Sequence, residues 1–141
     1  MRVFKKKSQR NQPRAEVPTG PVEYPAGICL RTEKGIFFLN KDLKRYRIAT
    51  DRILQSWNFP LIVDSSEAAA STYPIAINKL GFRDGSLLNN IADGKLYLVS
   101  AGKLRHIVNP DFLNRIGKTT AEAVVVSDAE IKIMKVGEKI T

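Results

Sequence analysis

Two stretches of this chain repeat one another in order, and that repeat limits the possible folds more than any other feature. The first runs from Gly27 to Ile77 and the second from Gly85 to Ile140. Gly27-Ile28-Cys29-Leu30 answers Gly85-Ser86-Leu87-Leu88, and Gly35-Ile36-Phe37-Phe38-Leu39 answers Gly94-Lys95-Leu96-Tyr97-Leu98. Lys44 and Ile48 match Lys103 and Ile107 at an offset of 59 residues, and Ile53-Leu54 matches Phe112-Leu113. After a shift of four residues, Leu61 to Glu67 overlies Val124 to Glu130. Gaps fall only in polar or glycine-bearing segments, the pattern left by duplication of one supersecondary unit. Such units build binding or scaffolding surfaces, and neither copy carries a catalytic set.

Each copy reads alike. A short strand (Ile28 to Arg31; Ser86 to Asn89) turns into a second (Ile36 to Asn40; Lys95 to Ser100), and a hairpin at Asp42 or Ala101-Gly102 returns the chain along Lys44 to Ala49 or Leu104 to Val108. Alternating apolar and basic residues mark the returning strand. A short helix follows, Asp51 to Trp57 or Pro110 to Ile116, with Thr50 or Asn109 as N-cap and Gly117 as a stop. The continuous apolar runs Leu61 to Val63 and Ala123 to Val126 predict a third strand in a central position, because both of its faces would be buried. Ser65-Ser66-Glu67 and Ser127-Asp128-Ala129-Glu130 have the residue types that open a second short helix. Ile77 to Phe82 joins the copies. The predicted fold class is α+β: β-rich, two duplicated strand–hairpin–helix–strand units with an extended N-terminal arm. The divisions are an arm over 1–25, a first repeat over 26–81 and a second over 82–141.

The arm differs from the body in composition. Its six basic and two acidic residues give +4, against +3 for residues 26–81 and +2 for residues 82–141, out of a total of +9. Arg2, Lys5, Lys6, Lys7, Arg10 and Arg14 sit among Ser, Gln and Asn, and Pro13, Pro18, Pro21 and Pro25 follow. Proline removes backbone donors and biases its predecessor to extended geometry, so polyproline-like or strand-edge conformation is expected there rather than helix. The segment lacks the apolar content to fold by itself and is expected to be held by a partner. A positive surface favours anionic partners.

Enzymatic chemistry has little support. His106 is the sole histidine, flanked by Arg105, and it occupies the place of Arg47 in the first copy, which marks a surface group. With one His and one Cys, the usual nitrogen and sulfur ligand set for zinc is missing, and Cys29 in its apolar run reads as a small buried hydrophobe. No phosphate-cradling glycine motif occurs, so neither cofactor nor metal is expected. No apolar run approaches the ~20 residues that span a bilayer, and no secretory signal is read, so no membrane partner is expected. Lys44, Arg45 and Arg47 with Tyr46, and Lys103 with Arg105, could meet phosphates and bases, or could simply guard the sheet from edge pairing; the second reading is preferred. Trp57 matches Ile116 and reads as core. Phe59 has no apolar counterpart and is the candidate aromatic anchor at an interface.

The second copy resembles a recurrent module of bacterial surface proteins and phage-encoded proteins. The residues that carry the resemblance are Asp84 to Leu88, Gly94 to Val99, Gly102 to Ile107, Phe112 to Gly117, Val124 to Glu130 and Gly137 to Ile140. The first copy follows it weakly, with Leu43 in place of Gly102 and Asn58 in place of Gly117. The resemblance implies noncatalytic binding or assembly. The expected function is that of a non-enzymatic structural protein of a tailed-phage particle: a capsid accessory, head–tail connector or tail component. Its expected partners are other virion structural proteins in a symmetric, multi-copy assembly, reached through Arg2, Lys5, Lys6, Lys7, Arg10, Arg14 and Phe59. The alternatives are a cell-envelope binding module and a small basic nucleic-acid-binding protein.

Overall fold

The computed structural model describes residues 16–141. Among them the fold is mixed α and β, dominated by strands: two small sheets and three short helices. The first sheet holds β1 (Cys29–Thr32), β2 (Gly35–Leu39), β3 (Arg45–Arg47) and β4 (Ile62–Asp64) in the order β3-β2-β1-β4. The second holds β5 (Leu87–Asn90), β6 (Leu96–Ser100), β7 (Lys103–His106), β8 (Val124–Val126) and β9 (Lys135–Val136) in the order β8-β5-β6-β7-β9. In both sheets an antiparallel hairpin pair is flanked by a parallel strand, β4 beside β1 and β8 beside β5. The pairing Cys29 with Phe38 recurs 59 residues later as Leu88 with Tyr97. The chain also returns beside β3, where Arg45 bridges Ile75, as β9 does beside β7, where Leu104 pairs Val136.

α1 (Asp51–Trp57) starts at Thr50, whose side chain accepts a hydrogen bond from the Ile53 N–H. Its left-handed C-cap is Asn58 at φ 49°. α2 (Asp111–Arg115) is the equivalent helix, with the Asn109 side chain accepting from the Asp111 N–H and Gly117 at φ 74° beyond its end. α3 (Asp128–Ile131) opens on a capping box between Ser127 and Glu130.

Four expectations are corrected. β4 and β8 are edge strands, not central ones: their apolar runs are only half covered, with Val124 and Val125 both 47% exposed while Val126 is buried. Ser65 to Glu67 opens a hydrogen-bonded turn instead of a second helix, because after the Ala69 and Ala70 amides have bonded to Ser66 the chain must return to meet Arg45 by way of Pro74. Since Cys29 pairs with Ile62 and Leu88 with Val124, Ile62 and not Leu61 takes the place of Val124, a shift of three residues where four were expected.

The fourth correction concerns His106. The first hairpin closes through residues 41–43, with Leu43 at φ 60°, whereas the second closes through Ala101 and Gly102 alone, both at positive φ. A three-residue loop with a left-handed last residue and a two-residue loop of paired positive φ are the two common ways to reverse a hairpin. Five residues separate the pair Leu39 and Arg45, whereas six separate the matching pair Leu98 and Arg105, so at the 59-residue offset β3 is shifted by one position relative to β7 and aligned side chains fall on opposite faces. His106 therefore lies opposite Tyr97, where Tyr46 lies opposite Phe38, and not in the place of Arg47.

One hydrophobic core spans both sheets: Cys29, Ile48 and Ile53 pack with Leu88, Tyr97, Val99, Leu104, Val126 and Ile131, with Phe82 between them. A smaller cluster of Ile107, Leu113 and Ile140 closes the far face of the second sheet.

Candidate functional site

Three features foreseen as contact surfaces can be located. The first is the end of the proline-bearing segment, which forms a strap on the body. Ser66 donates its hydroxyl to the Pro18 carbonyl, the Val22 N–H donates to the Ala69 carbonyl, and the Tyr24 N–H donates to the Tyr73 hydroxyl at 2.8 Å. Tyr73 returns a hydrogen bond to the Tyr24 carbonyl, the Tyr24 hydroxyl meets Ser65 at 2.8 Å, and the two tyrosine rings lie 6.4 Å apart. Extended backbone without helix suits this seat, since it leaves alternate amides free to bond the turn at 65–73. Arg2, Lys5, Lys6, Lys7, Arg10 and Arg14 lie outside the described residues.

The second feature is the set of cations on the returning strands, which do not share one solvent-facing surface. Arg45 is buried: its guanidinium pairs with Glu67 at 2.8 Å, donates to the Tyr73 carbonyl and lies 4.9 Å from the Phe37 ring centre. Burial would raise the Glu67 carboxyl, but hydrogen bonds from Arg45 and Thr32 outweigh it and hold the group below the usual carboxylate range. Arg47 donates to the Lys34 carbonyl and lies 4.8 Å from the same ring centre. Arg105 donates to the Glu138 carbonyl, whereas Lys44 and Lys103 are exposed. The Tyr46 hydroxyl is engaged with Asp42.

The third is Phe59. It is half-buried, with ring centres 4.9 Å from Phe38 and 5.7 Å from Trp57, and it packs against the shared core. Trp57 donates its indole N–H to the Gly81 carbonyl.

Among the described residues no group of three or more His, Cys, Asp or Glu could hold a metal ion. Cys29 is fully buried and its thiol is pushed up to about 11 by burial, so it stays protonated and unreactive at neutral pH. No helix among these residues is long and apolar enough to cross a membrane. Compared with known proteins, the chain matches no family model, no curated protein and no solved structure.

The Glu130 cluster was not foreseen as a cluster. This carboxylate is 3% exposed; it accepts from the Ser127 amide and hydroxyl on its own helix and from the Thr50 hydroxyl at 2.7 Å, and Arg52 approaches at 3.3 Å. Its capping-box spacing was legible, but its reach to Thr50 and Arg52 in the first half was not. The strap likewise announced itself only as extended chain; that Tyr24 and Tyr73 would clasp each other depends on a separation of 49 residues.

Proposed function

We propose that this chain is a non-enzymatic assembly protein of a phage particle that docks through its basic N-terminal segment, and that its two sheets descend from one duplicated unit. The duplication is supported by the 59-residue offset between the hairpin pairings and by left-handed backbone at Leu43 and Asn58, the positions where the second copy has Gly102 and Gly117. Left-handed backbone thus recurs at both positions even where the glycine is gone, although the two hairpins differ in loop length.

The observation that carries the docking reading is the strap. By clasping Pro18 to Tyr24 against residues 65–73, the body gives a basic, proline-bearing segment a fixed point of departure. Fifteen residues beyond it reach at most about 50 Å when extended, enough to cross a neighbouring subunit. Tethering raises the effective concentration of weak contacts, as repetitive shells and tubes require. The buried, paired Arg45 weakens the case for nucleic acid as the partner of the strand face.

The test compares the full chain with one lacking residues 1–15, each tagged and produced in cells that make the particle. Full-length protein should sediment with purified particles, and the shortened one should be depleted at least ten-fold. Equal recovery of both would overturn the docking role, and absence of both from particles would overturn the virion assignment.

A further inference from the structure

Where the two halves meet, the linker 77–83 runs along a groove that neither the strap nor the core fills. It consists of two adjoining clefts of about 500 and 460 Å³ that share Asn78, Lys79 and Ile133. Trp57, Leu80, Phe82 and Met134 make the apolar floor of the larger one, and Ile77 stands fully exposed beside the smaller. Met134 also packs closely on Gly81, where a Cβ would fall 2.6 Å from its Cγ, so a larger residue there would displace the Met134 side chain from this floor. Lys79, Arg83 and Lys135 line the larger cleft, all exposed and none paired with a carboxylate among the described residues. The lone acid of that lining, Asp84, accepts the Gly102 N–H.

We propose that this groove is a docking site for an extended acidic segment of a partner protein, with an aliphatic side chain seated on the floor and flanking carboxylates over Lys79, Arg83 and Lys135. An elongated groove with an unused isoleucine suits an extended peptide better than a compact ligand. Charge complementarity sets the sign of the partner, because unpaired cations around an apolar floor are stabilised when carboxylates approach a partly dehydrated surface. Stacking of nucleic-acid bases is not offered: the Trp57 ring is packed with Phe38 and Phe59, and its N–H is bonded to Gly81. Met134 supplies an unbranched, adaptable surface of the kind that accommodates varied side chains. The proposal does not rest on the docking role of the N-terminal segment and stands or falls independently of it.

Trp57, the single tryptophan, reports on the groove by its fluorescence. The full chain is titrated with a capped acidic peptide carrying one central leucine, with the same peptide carrying glycine instead, and with a single-stranded oligonucleotide. Saturable binding of the leucine peptide is expected, at least ten-fold weaker for the glycine peptide and at least ten-fold weaker for the K79E/R83E/K135E chain. I77S alters a side chain wholly in water and should weaken binding several-fold without changing the melt; it keeps the test decisive if the triple reversal proves unstable. No saturable response, affinity unaffected by I77S, or tighter binding of the oligonucleotide than of the leucine peptide would overturn the proposal. Affinity retained by a folded triple variant would do the same, since the untouched basic N-terminus would then be the binding element.

Discussion

Glu130 shows how one side chain can join two halves of a molecule. Burial by itself would raise its carboxyl, but bonds from Ser127 and Thr50 and the charge of Arg52 outweigh that effect and hold it below the usual range. An ordinary unfolded glutamate titrates near about 4.3, so the folded group is the stronger acid. A depressed folded value means its contribution is complete above the unfolded value and is lost as pH falls through the folded one. Glu130→Gln should therefore cost about 1–3 kcal/mol at pH 7, the range for a charged hydrogen-bond acceptor. In urea unfolding the gap between variant and parent should narrow at pH 3. Equal stabilities at pH 7 would show that the Thr50 and Arg52 contacts contribute nothing net.

At the scale of elements, loop length decides which face a strand presents. The three residues of the first hairpin and the two of the second leave β3 and β7 out of step, so Arg45 meets Glu67 on one face while Leu104 enters the shared core. Leu43 holds φ 60° without a glycine's freedom, and its side chain is 53% exposed. Left-handed backbone costs a branched residue about 1–2 kcal/mol, part of which glycine returns as unfolded-state entropy. Leu43→Gly should raise stability by roughly 0.5–1 kcal/mol, read from the denaturation midpoint, with the hairpin register preserved. A lowered midpoint would mean that the leucine side chain contributes more than its backbone costs.

The whole molecule is organised around a core drawn from both sheets. Cys29, Ile48 and Ile53 come from one half and Leu88, Val99, Leu104 and Val126 from the other, so each half alone would expose one side of that cluster. Residues 26–81 and 82–141 expressed separately should each give poorly dispersed amide spectra, and mixing them should restore dispersion. Two well-folded halves would show that the shared core is dispensable. The strap belongs to this scale as well. A chain starting at residue 26 loses the five hydrogen bonds of Pro18, Val22 and Tyr24, and at about 1 kcal/mol net for each should be roughly 3–6 kcal/mol less stable than one starting at residue 16. Equal melting of the two truncations would mean that the strap is not held in solution.

The sequence by itself determined the local elements. Short apolar runs over Gly35 to Leu39 and Leu96 to Ser100 mark strands, Thr50 opens α1, Ser127 and Glu130 open α3, and the burial of Cys29 follows from its apolar neighbours. These depend on contacts within a few residues, where propensity and period are legible. The tertiary structure decided the rest. Val124 to Val126 reads as a central strand because apolar content does not say which neighbours will cover it, and in the fold only β5 does. His106 and Arg47 align in sequence yet face differently, because a one-residue difference in hairpin length changes register and parity without changing pattern. The groove along 77–83, the Tyr24–Tyr73 clasp and the bond from Thr50 to Glu130 each join residues tens of positions apart. Burial and charge pairing are properties of the space between elements, and only the packed chain creates that space.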